Sequence, residues 1–519
     1  MNPAGQLTAL WRKAGLTSQR CLACDVCCRF ASPTACFIPF FSRAEATECG
    51  VRSAECGVGE PEAASPQPGA RPPVVPEGQW WRCPLRDATS QACTMYDRRP
   101  LDCRLYPFVL MFDETGRQVW LGADEACPFV CQQPPGGAVW QEAADEAAGL
   151  LDGPLANAIA AAPGIVSRFH DHVRPLRVLG NVTRRVCRSD LGLARLVPTC
   201  QEPLAPFFKA RPTCLTGHAF PAIYLWADLL NLHWRVDADC LLVFAESDGV
   251  GFLMAPPLGT GDVTAALRAA ADIMAAINGP RCGARAQEVD EALLPAFAAE
   301  GWQIGHRAQE YICDTASLVE LRGRHWDGRR HDIRRFEKLH RAEWRPYTPA
   351  DFPACVALLH RWQQERAAAH PDPLYRDQLA AAAFLHRRTL REAAELGLWG
   401  FVAELDAKEA GQDSTTTAAT VSVVRAESGN RQSAIGNPVV AYTFGFPLAD
   451  QATFADFIEV ADLSYPGLAA WTFNRFCREV RDWPFLNLGP DSELPNLAAA
   501  KLACRPSRIV PTYVLNTPS

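Results

Sequence analysis

An α+β fold in two parts is what this 519-residue chain predicts, on two observations. Twelve of its 21 cysteines lie in the first 131 residues, several of them separated by two intervening residues. From about residue 196, short apolar runs alternate with segments of helical periodicity, the texture of a mixed sheet flanked by helices. The expected architecture is a small metal-stapled cysteine-cluster domain followed by a mixed-sheet region.

Length and composition bound the rest. A chain this long exceeds one core, so two to four domains are expected. Hydrophobic residues make up 48% and charged residues 21%, which is ordinary globular composition. The net charge of −7 excludes a chain-wide basic footprint, though not a local one. No apolar run approaches a membrane span, so membrane contact would be peripheral. The first residues, Met-Asn-Pro-Ala-Gly-Gln-Leu-Thr-Ala-Leu-Trp-Arg-Lys, contain no apolar run of signal-peptide length. The reducing cytoplasm is the expected compartment, and clustered thiols persist there as ligands.

The cysteine stretch reads Cys21-Leu-Ala-Cys24-Asp-Val-Cys27-Cys28, then Cys83, Cys93-Thr-Met-Tyr96-Asp-Arg-Arg99-Pro100, Cys103-Arg-Leu-Tyr-Pro-Phe108 and Cys127. Three readings compete. A disulfide scaffold requires an oxidising compartment. Zinc takes sets of four thiolates. A [4Fe-4S] iron–sulfur cluster does the same. Spacing does not separate zinc from iron. Residues 57–79, with six prolines, read as a loop between the two halves of the cluster. Loop-closure entropy grows slowly enough with length to tolerate it. The motifs CxxCxxCC, C-x-x-Y-x-x-RP and CR-x-YPF resemble the bacterial zinc- or iron-chelating cysteine-cluster family (YkgJ type). The resemblance covers about residues 18–132. It implies metal ligation by Cys21, Cys24, Cys27, Cys28, Cys83, Cys93, Cys103 and Cys127, and leaves Cys36, Cys49, Cys56 and Cys131 outside the pattern.

The elements follow in order. Residues 132–137 read as a linker, and 133–195 as a helical connector, alanine-rich over 138–165. A first unit spans 196–320. Within it, 220–234 shows mixed helical spacing, and 240–245 with 250–254 forms a hairpin signal around Ser247-Asp248-Gly249. Asp262 caps a helix over 263–277, and a second helix over 291–300 is closed by Gly301. A second unit spans 321–519. Helices are expected over 329–341, from Pro349 to about 369, and over 376–396. A strand at 399–404 precedes a Ser/Thr/Gly-rich loop at 406–436. Strands at 439–446 and 453–459, a helix opened by Pro466-Gly467, and a strand at 485–488 complete it. This order resembles an acetyltransferase-like (GNAT) fold, and the similar order of the first unit suggests a tandem pair.

Three stretches carry a second resemblance: Trp326-Asp-Gly-Arg-Arg-His-Asp332-Ile-Arg-Arg335-Phe-Glu-Lys338, Phe457-Ile-Glu459-Val-Ala-Asp462, and Asn487-Leu-Gly-Pro-Asp491 continuing to Lys501 and Arg505-Pro506. They resemble the C-terminal domain of phosphatidylglycerol lysyltransferases, over about residues 196–515. The chain departs from that pattern at Glu493, where the family has glycine, at Ala498, where arginine is common, and at Asp332, which replaces asparagine. The resemblance implies acyl or aminoacyl transfer to an amine or hydroxyl, from an aminoacyl-tRNA or another phosphorylated donor. The pyrophosphate loop of ordinary acetyltransferases is absent, and only Ser464-Tyr-Pro-Gly467 stands in its place, which disfavours acetyl-CoA.

Each candidate has a plain alternative. Arg330, Arg334, Arg335 and Lys338, with Gly467, are candidates to hold the donor, because Arg forks bind phosphate bidentately. The alternative is a solvated helix face. Glu459 is a candidate proton acceptor, or a salt-bridged structural carboxylate. Asp491 and Lys501 share one loop–helix segment, where Lys501 would hold an anionic donor or stabilise an oxyanion, or would only favour a helix C-terminus. Two rival functions remain: a metal or redox sensor whose transferase fold only binds a ligand, and a protein-modifying enzyme akin to flagellin lysine methylases that carry the same cysteine cluster.

Overall fold

The computed structural model describes residues 5–7, 10, 26–35, 37–49, 69–131, 137–227, 229–247, 249–279, 282–370, 372–405 and 437–518. Cys21, Cys24, residues 132–136 and the 406–436 loop lie outside these. The chain divides into two compact units, one of residues 1–212, 217–307 and 511–519, the other of residues 213–216 and 308–510. The fold is mixed α+β.

In the first unit a 3-10 turn at Val26–Cys28 leads into β1 (Arg29–Phe30). β1 and β2 (Val75–Glu77) flank β3 (Trp80–Arg82), both antiparallel. Arg29, Arg82 and Arg86 reach the Glu77 carboxylate at 3.1, 3.3 and 3.9 Å, so one acid holds the three-stranded piece together. Helix α1 (Leu101–Leu105) precedes the hairpin β4 (Phe108–Phe112) and β5 (Val119–Asp124). Residues 138–195 do carry helix, led by α2 (Ala138–Asp152), but also β6 (Val173–Val178), which pairs antiparallel with β5. That strand departs from the all-helical reading. Its Pro175 cannot donate to a ladder, and β6 is the edge strand where that omission is tolerated.

The larger sheet of this unit contains β7 (Asn231–Asp237), β8 (Cys240–Ser247) and β9 (Val250–Leu253), antiparallel in sequence. The helical spacing read over 220–234 holds only for Phe220–Tyr224; Trp234 lies in β7. Helix α3 (Val263–Asn278) begins where Asp262 accepts the Ala265 N–H at 3.0 Å. It returns the chain to β10 (Arg285–Val289), parallel to β9 through Leu253 and Ala286.

The second unit repeats this plan. β11 (Gln303–Asp314) is followed by α4 (Asp327–Leu339), β12 (Ala342–Pro346), α5 (Phe352–Ala369), α6 (Pro373–Glu392) and β13 (Trp399–Leu405). Then come β14 (Val439–Pro447), β15 (Thr453–Ala461), α7 (Leu468–Glu479), β16 (Phe485–Pro490) and α8 (Pro495–Leu502). The strand order is β12-β13-β14-β15-β16-β11. The first three pairings are antiparallel, β15 and β16 run parallel across α7, and β16 pairs antiparallel with β11. One face packs on α5 and α6 through Leu358, Leu359, Tyr442, Phe444 and Ile458. The other packs on α4 and α7 through Phe336, Phe454, Trp471 and Phe476. A strand–helix–strand crossover between parallel neighbours occurs in both units, β9–α3–β10 in the first and β15–α7–β16 in the second. Among the described residues, no helix is long and apolar enough to cross a membrane.

Candidate functional site

The site grows from the place where two parallel strands part. β15 and β16 pair at Thr453–Phe485, Phe454–Leu486 and Ala455–Asn487, and the ladder ends there. Beyond it Lys501 reaches in from α8, and its Nζ donates to the carbonyls of Leu488 and Pro490, each at 2.6 Å. Gly489 turns the backbone between these carbonyls with φ of +73°. A Cβ at Gly489 would stand 3.7 Å from Lys501 Nζ and 4.0 Å from the Asp456 carbonyl oxygen, so strand and lysine close around this glycine.

On β15 the register with β14 slips. Thr443 opposes Glu459, Phe444 opposes Ile458, but Gly445 opposes Asp456, leaving Phe457 as an extra residue. Such a bulge changes which face later residues present. Phe457 and Ile458 both pack toward the α5–α6 core. Asp456 and Glu459, three positions apart, therefore share the opposite face, where strict alternation would have separated them.

These charges have little water. Burial pushes the Asp456 carboxyl up to about 7, with Lys501 opposing the rise. Burial also pushes Glu459 well above the usual carboxylate range; the neighbouring Asp456 adds to this and Arg329 offsets part of it. Burial brings Lys501 down to about 8, opposed by the charges of Asp456, Glu310 and Asp491. Glu459 is half-buried as a residue, yet its Oε2 is shut from solvent without a hydrogen-bond partner, as are Asp456 Oδ1 and Arg329 Nη1. Buried polar atoms are nearly always satisfied, so three orphans in one neighbourhood mark where a polar ligand fits.

Arg329 enters this neighbourhood from α4. Its guanidinium lies 5.6 Å from the Trp326 ring centroid and 5.2 Å from that of Phe473, and Nη2 donates to Cys504 Sγ at 3.4 Å. Burial raises the thiols of Cys313, Cys477 and Cys504. Beneath them the fully buried Glu310 accepts from Thr216 N at 3.0 Å, from Thr216 Oγ1 at 2.6 Å and from Asn487 Nδ2. Asn487 also donates to the Cys214 carbonyl at 2.6 Å and accepts from Gly489 N at 2.7 Å, which fixes the end of β16.

The expected residues divide accordingly. Asp456 interacts electrostatically with both Glu459 and Lys501. Asp491 is engaged in the turn before α8: Oδ2 accepts from the Tyr311 hydroxyl at 2.8 Å and Oδ1 from Glu493 N at 3.1 Å. Glu493 adopts φ of +59°, the conformation that explains glycine in the resemblance pattern. Arg330 folds back onto the Leu321 and Gly323 carbonyls and Asp327, bracing the start of α4. Arg334, Arg335 and Lys338 are exposed along the same helix. Gly467 is pressed against α4, where a Cβ would stand 2.2 Å from the Asp332 carbonyl oxygen. Sequence reasoning missed Asp456, Arg329 and Glu310. Arg329 lies within the basic run of the sequence, whereas the parity of β15 conceals Asp456.

The thiols of the first unit form a separate locale. Cys83 N donates to the Cys28 carbonyl at 2.9 Å, and Cys93 bridges to Arg86, so β1, β3 and the following turn bring three cysteines near one another. The sulfurs of Cys27 and Cys28 are 3.9 Å apart. The Cys27 thiol brings Cys28 down to about 7 against its burial, with help from Arg86 and Arg99. Burial pushes Cys83 up to about 12 and Cys103 well above the ordinary thiol range, and the charges of the neighbouring cysteines add to both. Cys127 and Cys27 both act on the buried Tyr106 hydroxyl. Among the described residues, no three His, Cys, Asp or Glu side chains are grouped to hold a metal ion.

Antiparallel strands leading into a parallel pair that parts beside a cluster of charged residues are the strand pattern of an acetyltransferase-like fold. Residues 215–516 match the family described as phosphatidylglycerol lysyltransferase, C-terminal. That is more than half of the chain, and the chain belongs to this family. Among solved structures, a conserved protein of unknown function from Bacteroides thetaiotaomicron VPI-5482 is similar at 19% identity and a TM-score of 0.50, over 63% of this chain and 99% of that one. The L-PGS structure from Bacillus licheniformis is similar at 12% identity and a TM-score of 0.40, over 61% of this chain and 91% of that one. A tandem GNAT protein from the clavulanic acid biosynthesis pathway is similar at 11% identity and a TM-score of 0.35, over 63% and 99%. No curated protein matches the chain.

Proposed function

We propose that the second unit catalyses acyl or aminoacyl transfer to an amine or hydroxyl acceptor. The observation that carries this reading is the cluster of Asp456, Glu459, Lys501 and Arg329 at the opening between β15 and β16, with buried polar atoms left unsatisfied. Two carboxyls and a lysine drawn toward neutrality by burial are suited to moving a proton and offsetting oxyanion charge. The donor class is an aminoacyl-tRNA or another phosphorylated molecule, and the exposed Arg334, Arg335 and Lys338 of α4 offer it a cationic face. Family membership supports the reaction class, while the chain's own residues support the site.

The test is binding and transfer together. Filter binding of labelled aminoacyl-tRNA, with heparin and coenzyme A as competitors, is expected to show salt-dependent binding by the native chain. Replacing Arg334 and Arg335 by alanine is expected to weaken it and flatten the salt slope, because fewer counterions are released. Equal affinity and slope in the double variant would leave α4 a solvated face.

A thiolate metal site in the first unit belongs to this proposal as a structural or redox-sensing element. Its support is the cysteine spacing of the sequence, together with the influence of Cys28 and Cys93 on Cys83 and of Cys28 and Cys83 on Cys103. Cys21 and Cys24 of the same motif would complete a ligand set for zinc or an iron–sulfur cluster. The proposed compartment is the cytoplasm.

A further inference from the structure

We infer that Arg329 stabilises the oxyanion of this reaction: its Nη1 donates to the acyl carbonyl oxygen of the donor while the new bond forms. The inference rests on the transferase reading above and names the group that meets the developing charge. Four observations carry it.

First, the guanidinium is clamped. It lies 5.6 Å from the Trp326 ring centroid, in the turn before α4, and 5.2 Å from that of Phe473 on α7. A cation fixed between two rings needs no reorganisation when charge develops beside it. Second, a chain of hydrogen bonds ties it to the parting strands. Nη2 donates to Cys504 Sγ at 3.4 Å, and Cys504 N donates to the Lys501 carbonyl at 3.0 Å. Lys501 Nζ in turn holds Leu488 and Pro490 just past the last β15–β16 pair.

Third, Nη1 is shut from solvent and without a hydrogen-bond partner. A buried N–H of this kind calls for an oxygen acceptor. With Nη2 engaged, the guanidinium presents one corner rather than the fork that carboxylates and phosphates take. A single carbonyl oxygen suits that corner. Fourth, the other cations are less fit for the task. Two of the three Lys501 N–H bonds already go to backbone carbonyls, so that lysine fixes the strand ends. Arg334, Arg335 and Lys338 are exposed, and water weakens what a cation does for an oxyanion.

The step balances. The acceptor nitrogen or oxygen attacks the acyl carbonyl carbon, and its lone pair becomes the new bond. The carbonyl π pair moves onto the oxygen, where Nη1 meets the charge. That pair then returns, the bond to the donor oxygen breaks, and this oxygen leaves with its electrons. The proton lost by the acceptor passes through the Asp456 and Glu459 carboxyls to the leaving oxygen. Arg329 stays protonated throughout.

The experiment follows discharge of a bulk aminoacyl-tRNA pool by the full-length protein, with a total extract of cellular lipids and small amines as acceptors. Filter binding of the same pool runs beside it. Arg329→Ala is expected to lose on the order of a hundredfold to a thousandfold in kcat, as for removal of one oxyanion-hole donor. Its KM and tRNA affinity are expected to stay within about threefold of native, because the bond strengthens in the transition state. Free guanidinium, far below denaturing concentrations, is expected to restore part of the rate, and tetramethylammonium none. Arg329→Lys guards against an alanine variant that does not fold, since it keeps the charge acting on Glu459. It is expected to fold, by its thermal melt, and to fall more than about tenfold in kcat, because an ammonium lacks the planar reach of guanidinium. A lysine variant with native kcat overturns the assignment. So does a folded alanine variant that keeps its kcat, loses only tRNA affinity, or is not restored by guanidinium. In each case the transferase reading stands. If the native protein discharges no aminoacyl-tRNA, the transferase reading falls and the oxyanion role with it.

Discussion

Lys501 and Leu488 are joined by a hydrogen bond of 2.6 Å, from ammonium to carbonyl, just past the point where the β15–β16 ladder ends. Strands that part leave backbone carbonyls without ladder partners, and buried carbonyls need replacements. Lys501 supplies two, since Pro490 is bonded as well. Lys501→Met keeps the stem and removes both bonds together with the charge opposite Asp456. A loss of about 2–4 kcal/mol is expected, in the range for breaking a buried charged hydrogen-bonded group. The check is a urea midpoint that falls with unchanged m-value, accompanied by loss of transfer. A midpoint within error of native would show that water replaces the lysine without cost.

Asp456 makes a signed prediction about pH. Its folded pKa of about 7 lies above the ordinary carboxylate value, so the folded state holds the proton more tightly than the unfolded chain. Below the unfolded value both states are protonated and the site costs nothing. As pH rises from about 4 to 7 the unfolded chain ionises first, and stability is lost across that window. Asp456→Asn removes the loss. It is expected to match the native protein at pH 4 and to exceed it at pH 8, by roughly 1–2 kcal/mol after allowance for its partial exposure. Thermal melts of both proteins at the two pH values decide it; a variant less stable at pH 8 would mean that the Lys501–Asp456 attraction outweighs burial.

Much of the second unit was legible because its signals are local. Asp262 before an alanine-rich run, Pro349 after Thr348, and the apolar runs of β14 and β15 state their own structure, and each element forms within a few residues of its expected bounds. The strands at 342–346 and 508–516 were missed because Ala-Glu-Trp-Arg-Pro and Arg-Ile-Val-Pro carry charge or proline, and only pairing with β13 or β10 gives them a role. The site was legible in part. Glu459 and Lys501 could be named from the motif, but Asp456 depends on one unpaired residue, Phe457, whose presence is decided by the register with β14. A strict period of two assigns Asp456 to the wrong face. Arg330 was singled out with its neighbours, yet only the fold shows that it braces the helix start while Arg329 turns inward.

The cysteine cluster predicts a graded response to substitution. Cys28 and Cys93 act on Cys83, and Cys28 and Cys83 act on Cys103, whereas Cys200 and Cys240 lie buried in other surroundings. If the first group binds metal, Cys83→Ser and Cys93→Ser are expected to lose most of the zinc or iron of anaerobically purified protein. Cys240→Ser is expected to retain it. Elemental analysis gives the content, and visible absorbance from sulfur-to-iron charge transfer separates an iron–sulfur cluster from zinc. Equal metal in all variants, or none in the native chain, would remove the metal from the proposal. Chelation is expected to lower the melting temperature of the first unit, because ligand binding to the folded state is folding free energy.

Gly467 offers a test of how tightly α4 is seated. It precedes α7 with φ of +91°, and a Cβ there would meet the Asp332 carbonyl oxygen at 2.2 Å, its carbon at 2.9 Å and Phe336 Cβ at 3.2 Å. Backbone is the obstacle, so no side chain can swing aside. Gly467→Ala therefore pays twice, in a left-handed conformation disfavoured for L residues by about 1–2 kcal/mol and in displacement of α4 from the Phe336–Trp471 contact. A total of about 2–4 kcal/mol is expected, given the usual cost of overpacking. The same displacement would pull Arg329 from Cys504, so the Cys504 thiol is expected to react faster with a disulfide reagent. Gly328→Ala is the matched control. It lies on α4 with nothing within 4 Å of the added methyl, and alanine there is expected to stabilise by about 0.5–1 kcal/mol through helix propensity. A Gly467→Ala protein as stable as Gly328→Ala, with an equally slow thiol, would show that α4 is not fixed by this contact and that Arg329 reaches the site by another constraint.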